Sequence, residues 1–300
     1  MKTINLYLII LCLFGCMACA DYDEVGDVET LSPDYVLPQG KSPADGRIVE
    51  YYNMYKSYIL YEYSHPDFMY GLSQTNLSYI YGKVDPQCMD IVLDFLEDIW
   101  FDLYPIDFHV KYMPYKIIVV EFMKDVLGTS KFATMGKDGQ SFYVNDCSAE
   151  LSKLSAVEKR TYKNDLQSSL WNFWCNNVTF EFPKEFYEVS DYTRAAKDYD
   201  PVNPDDPDFA LARGFMPQWN ANQNKYIFNW CLNVHYQTKL VDSKLDLQHF
   251  MNAMVTRTVE EWGDYLEKYP LIKRKYDILY DWFLDKYKVD LKKVGEVTYN

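Results

Sequence analysis

Chemically reactive side chains are scarce in this sequence. Four histidines occur in 300 residues, and no two of His65, His109, His235 and His249 stand one helical turn apart. That spacing puts two imidazoles on one face of a helix around a metal ion. Basic charge is short as well. Thirty Lys and Arg against 44 Asp and Glu leave a net charge of −14, so phosphates cannot be neutralised and nucleic acid is excluded as a partner. There is no Gly-x-Ser-x-Gly elbow, no glycine loop that cradles phosphate and no internal repeat. Apolar runs stop far short of the roughly 20 residues a spanning helix needs.

What is present begins at the N-terminus. Lys2 precedes a short apolar run at residues 6–14 (LYLIILCLF), the pattern of an export signal. Leu13-Phe14-Gly15-Cys16 looks like a lipobox, with a small residue before the cysteine to be acylated; Cys16-Met17-Ala18-Cys19 is the alternative frame. The expectation is a signal segment over 1–19, cleaved before Cys16 or Cys19, and a lipid-anchored cell-envelope protein of the outer membrane. The acidic stretch 21–27 favours its outer surface. Residues 20–46 are acidic and carry Pro33, Pro38, Gly40, Pro43 and Gly46, which reads as a flexible tether. Cys88, Cys147, Cys175 and Cys231 remain for the mature chain; an oxidising compartment permits one bridge, and the spacing pairs none of them.

Residues 47–300 read as one domain, with room for two lobes around a cleft. Helical periodicity runs over 47–63, and Asp85-Pro86 opens a second helix whose buried stripe is Met89, Val92, Leu93, Leu96, Ile99, Trp100 and Leu103. Residues 115–123 (YKIIVVEFM) form a buried strand. Residues 132–135 and 140–145 flank a Gly136-to-Gly139 turn as a hairpin. Ser155 and Glu158 form a capping box before a long helix toward Asn177. Helices are expected near 223–239, 246–268 and 271–288. The order makes the fold class α+β, a small sheet on a long central helix with a helical C-terminal part. The 28 tyrosines serve the core and its rim, and a glycan-stacking surface is a further use of such rings.

Several segments together resemble the zinc-binding metallopeptidase lipoproteins, a zincin-like family found beside glycan-uptake systems. They are Ile99-Trp100-Phe101-Asp102-Leu103-Tyr104, then residues 113–120 (MPYKIIVV), Phe182-Pro183-Lys184-Glu185-Phe186-Tyr187, Gly214-Phe215-Met216-Pro217 and residues 276–291. The resemblance implies a zincin-like fold. Active relatives carry His-Glu-x-x-His on the long helix, two histidines gripping zinc and a glutamate activating its water. Here residues 170–179 read LWNFWCNNVT, without histidine or acid. In one register Asn172 and Asn176 replace the histidines and Phe173 the glutamate; in the other, Trp171, Cys175 and Asn172 take those places. Helical geometry favours the first, because Asp165, Ser168, Ser169, Asn172 and Asn176 share a polar stripe. Relatives also place an acidic helix after the Gly-Phe segment, where residues 224–230 (NKYIFNW) hold no carboxylate.

No cofactor is therefore expected, although the active relatives use zinc. The leading expectation is a catalytically inactive, degenerate member that binds a glycan, a peptide or a partner protein. Its relic cleft would be lined by Trp171, Asn172, Asn176, Trp219 and Asn229. The alternative is an active hydrolase or zinc metallopeptidase with a non-standard site, using Cys175 as nucleophile or Cys175, Cys231 and His235 as a metal set. A third reading makes the chain an accessory to outer-membrane uptake proteins.

Overall fold

In a computed structural model, the described residues are 35–72, 79–177, 180–197, 205–220, 225–227 and 240–299, with only the backbone of 177, 218–220 and 225–227. Cys16, Cys19, Asn229, Cys231 and His235 lie outside the described residues, and the side chain of Trp219 lies outside the described atoms. The unit from Leu37 to Asn300 opens ahead of the expected boundary at residue 47. Its first residues are held by Gln39, whose side-chain nitrogen donates to Ile59 O at 2.9 Å and whose oxygen accepts from Tyr61 N at 3.1 Å.

The expected helix over 47–63 is two elements. Helix α1 (Asp45–Tyr55) ends where Lys56 adopts a left-handed conformation with φ 59°. The chain then enters strand β1 (Tyr58–Leu60), whose three residues are all buried. A short helix α2 (His65–Leu72) and strand β2 (Tyr79–Lys83) follow. Asp85 caps the next helical segment as expected, accepting from Gln87 N. Helix α3 (Met89–Ile99) buries Met89, Val92, Leu93, Phe95, Leu96 and Ile99, an apolar stripe at helical spacing. Helix α4 is Ile106–Tyr112.

Strand β3 (Lys116–Asp125) is the spine of a five-stranded mixed sheet. Its first half is flanked in parallel by β1 and by β5 (Ser141–Val144), and its second half pairs antiparallel with β2. The hairpin partner β4 (Ala133–Met135) adds antiparallel to β5 and ends the order β1-β3-β5-β4. One core unites Ile117, Val119, Phe142 and Val144 with residues of α3 and of the long helix α5 (Ala156–Asn177). The capping box at Ser155 and Glu158 forms reciprocally.

Beyond α6 (Lys184–Glu188), the backbone at Gln218–Asn220 and Lys225–Ile227 pairs as two short antiparallel strands, β6 and β7. The helix expected over 223–239 is therefore a strand where it is described. The helix expected over 246–268 is also two, α7 (Ser243–Thr256) and α8 (Val259–Lys268). Arg257 leaves helical geometry, and Thr258 starts α8 with a capping box to Glu261. Such a break orphans the last carbonyls of α7. Buried Lys163 of α5 donates to Val255 O at 2.9 Å and to Val294 O at 3.1 Å, and Arg160 reaches Thr256 O. Val294 belongs to α10 (Leu291–Glu296), which follows α9 (Pro270–Tyr287). At Gly295, a Cβ would stand 2.4 Å from Arg257 O, so only glycine permits α10 to press on that break.

Candidate functional site

The polar stripe on α5 faces an open groove of about 320 Å³, lined by Lys131, Ala133, Thr134, Met135, Gly136, Ser169, Asn172, Phe173 and Asn176. Strand β4 forms one wall and α5 the other. The register explains why the wall is open. Asn145 N donates to Phe132 O and Gly136 N to Ser141 O, each at 2.7 Å, while Thr134 stands opposite Tyr143. Bonded and non-bonded pairs alternate in an antiparallel ladder. The amides and carbonyls of Ala133 and Met135 therefore point away from β5, along an edge that no other strand covers among the described residues. Ser169 Oγ donates to Ala133 O at 2.9 Å. That bond ties helix to strand and leaves the Met135 groups facing the groove.

The helix wall is made of amides. Asn176 is exposed and its Nδ2 donates to Asn172 O at 2.7 Å. Asn172 is half-buried, and its Oδ1 has no hydrogen-bond partner among the described residues. A buried amide oxygen left unpaired costs roughly 1–3 kcal/mol. Behind Asn172, Gln248 of α7 donates from Nε2 to Asn172 O at 3.3 Å.

Helix α7 thus packs against the groove helix, and it carries buried Asp246, Gln248 and His249. Asp246 pairs with buried Lys275 at 2.6 Å and accepts from Tyr192 Oη at 2.6 Å. Burial pushes the His249 imidazole down to about 4. Neither residue lines the groove.

Trp171 is a further correction. It is fully buried, on the opposite side of α5, with Nε1 donating to Tyr104 Oη at 2.8 Å. Its ring packs on Trp174, Phe180 and Phe283. An indole flanked by that many apolar rings is core, and Trp171 does not line the groove. Cys175 is half-buried, and burial pushes its thiol up, away from the thiolate that a nucleophile requires. Cys88, Cys147 and Cys175 are free thiols.

The groove's donors are an ammonium, hydroxyls, amides, a thioether and backbone groups, with no imidazole, thiolate or carboxylate. That set does not fit zinc, which takes Cys, His or carboxylate ligands. The described residues contain no group of three or more His, Cys, Asp or Glu placed to share a metal. Of the expected cleft residues, the structure brings together Asn172 and Asn176. Sequence reasoning placed Ser169 on the same polar stripe and missed Lys131, Thr134 and Met135. The hairpin itself was legible, but an open edge depends on which strands pair, and that is a long-range fact.

The geometry defines a mixed α/β domain with one small sheet, many helices and an amide-lined groove beside a free sheet edge. No family model matches the chain, and no curated protein matches it. A crystal structure from Bacteroides caccae ATCC 43185, described as "a putative zinc-binding metallo-peptidase", is similar at 14% sequence identity. The match covers 84% of this chain and 88% of that one with a TM-score of 0.48. At that score the likeness assigns neither activity nor residue roles.

Proposed function

We propose that the chain is a binding protein of metallopeptidase-like, zincin-related fold that holds an extended peptide segment in the groove between β4 and α5 and cleaves nothing. The observation that carries this reading is the outward-facing backbone of Met135 in a groove that Asn172 and Asn176 also line. A free edge offering alternate N–H and C=O groups recognises another strand by main-chain hydrogen bonds. An amide supplies one further donor and acceptor pair. Peptide is favoured over glycan because only a peptide repeats the groups that a strand edge presents. The groove helix offers no general base: Asn172, Phe173 and Asn176 cannot take a proton from water at neutral pH.

The cellular setting belongs to the same proposal. Acylation of Cys16, or of Cys19, would hold the domain at the outer membrane, with its partners among surface peptides or uptake proteins. Loss of acyl labelling in Cys16→Ala, with labelling kept in Cys19→Ala, is the result expected.

The groove is tested on purified protein with a library of acetylated, amidated nonapeptides and affinity selection. Peptides are expected to be retained uncleaved, without added metal. Met135→Pro removes one outward N–H that β5 does not use, and it should abolish retention while the fold persists. Stoichiometric zinc accompanied by peptide hydrolysis would falsify the binding-protein reading and favour the hydrolase alternative.

A further inference from the structure

The groove does not end at Asn176. At Lys131 and Thr134 it shares its wall with a second, narrower cavity of about 160 Å³, lined also by Tyr79, Met123, Asp125 and Thr129. A strand laid along β4 points successive side chains to opposite faces, so alternate residues of a bound segment turn toward that cavity. Its chemistry then selects among them.

Tyr79, Thr129 and Thr134 bring three hydroxyls to the cavity, and Lys131 brings an exposed ammonium without an ion-pair partner among the described residues. Asp125 is the one carboxylate of the described lining, and its Oδ1 accepts from Leu127 N at 2.9 Å and Thr129 N at 2.8 Å. Those two bonds fix the turn that presents Thr129. The segment carrying Lys131 is fixed from behind, because buried Asn145 donates from Nδ2 to Ser130 Oγ at 2.7 Å and to Met123 O at 3.2 Å. Among the described residues, Lys131 is the sole charged side chain of the groove and the sole cation of the cavity. In a chain of net charge −14, a lone unpaired ammonium at the junction of two cavities is the local exception.

We infer that the segment held in the groove carries a carboxylate seated in this side cavity, received by Lys131 and the neighbouring hydroxyls, and that this carboxylate belongs to an Asp or Glu side chain. The assignment rests on the peptide-binding reading and adds the class of peptide. Charged hydrogen bonds are stronger than neutral ones, and an ammonium with three hydroxyls satisfies both carboxylate oxygens. A lysine that met the ligand only as a point charge would discriminate by charge alone, whereas the hydroxyls also fix position along the segment.

The probe is the same nonapeptide library, amidated at its C-terminus, with a second library ending in free carboxylates. The wild-type chain should enrich Asp or Glu at one position of the amidated peptides at least tenfold. Lys131→Gln should remove that enrichment, and Lys131→Glu should replace it by Lys or Arg. Retention without any acidic preference overturns the assignment and leaves the groove reading intact. A preference for free C-termini with no positional Asp or Glu also overturns it, giving the carboxylate to a chain end. If wild-type protein retains no peptide from either library, the groove reading falls and this assignment falls with it. Far-UV circular dichroism of both variants shows whether the fold is kept, and an exposed lysine at a loop end gives no reason for it to be lost.

Discussion

Helix α5 has two faces that differ in what they meet. On the inner face, Gln167 donates to Ile99 O at 2.8 Å and accepts from Tyr104 Oη, which in turn accepts from Trp171. Trp174 Nε1 reaches Tyr112 O at 3.0 Å. On the outer face, Asn172 keeps an unpaired oxygen and Asn176 bonds only back to its own helix. Buried polar groups in native cores are nearly always paired. One face meets the aromatic core and the other lines the groove, and residues four apart can belong to different ones.

The largest test of that division is Trp171→Ala. The indole is enclosed by Tyr104, Phe108, Trp174, Phe180 and Phe283. Removing a buried tryptophan costs about 3–5 kcal/mol, and it also removes the donor to Tyr104 Oη. Urea denaturation should show the midpoint falling sharply with the slope unchanged. A change under about 1 kcal/mol would mean that the ring is not core, and the contrast between the faces would collapse.

The inner side also predicts an acid limit. His109 packs edge-on against Tyr104 and places Nε2 2.9 Å from Phe101 O. Burial pushes its imidazole down to about 4. An unfolded histidine takes its proton near 6.5, so between about 6.5 and 4 the unfolded chain binds the extra proton. Stability is then fully present above pH 6.5 and is lost as pH falls toward 4, by roughly 3 kcal/mol for a shift of this size. His249, also pushed down to about 4, acts in the same direction. His109→Gln should flatten part of the decline between pH 7 and 4.5. An unchanged slope would show that His109 titrates as if it were in water.

These two groups of residues were unequally legible in the sequence. The capping box at Ser155 and Glu158, the stripe of α3 and the buried run of β3 follow from short-range patterns, and they formed where the patterns lie. The polar spacing of Ser169, Asn172 and Asn176 was readable as a face for the same reason. What that face meets was not readable. The opposing wall depends on β4 ending the sheet, and the order β1-β3-β5-β4 joins residues that no local pattern links. The split at Arg257 was hidden differently. Residues 246–268 carry helical character throughout, and the break is stabilised from outside by Lys163, Arg160 and the close approach of Gly295. Trp171 was misplaced because an aromatic beside a polar stripe suits a cleft or a core equally well, and only packing decides between them.

The smallest expected effect is the most discriminating. Asn172→Leu removes an amide whose oxygen has no partner among the described residues, and it substitutes an apolar side chain of comparable length beside Phe173. Deleting an unsatisfied polar group is neutral or stabilising, so the urea midpoint should stay within about 0.5 kcal/mol of wild type or rise slightly. Retention of extended peptides should nevertheless be lost, because the bound segment loses a donor and an acceptor and meets a methyl group instead. Residues kept for binding at some expense to stability behave in this way. A variant that is clearly destabilised would place Asn172 with the structural face of α5. One that binds as before would remove the helix from the recognition surface and leave the β4 edge to act alone.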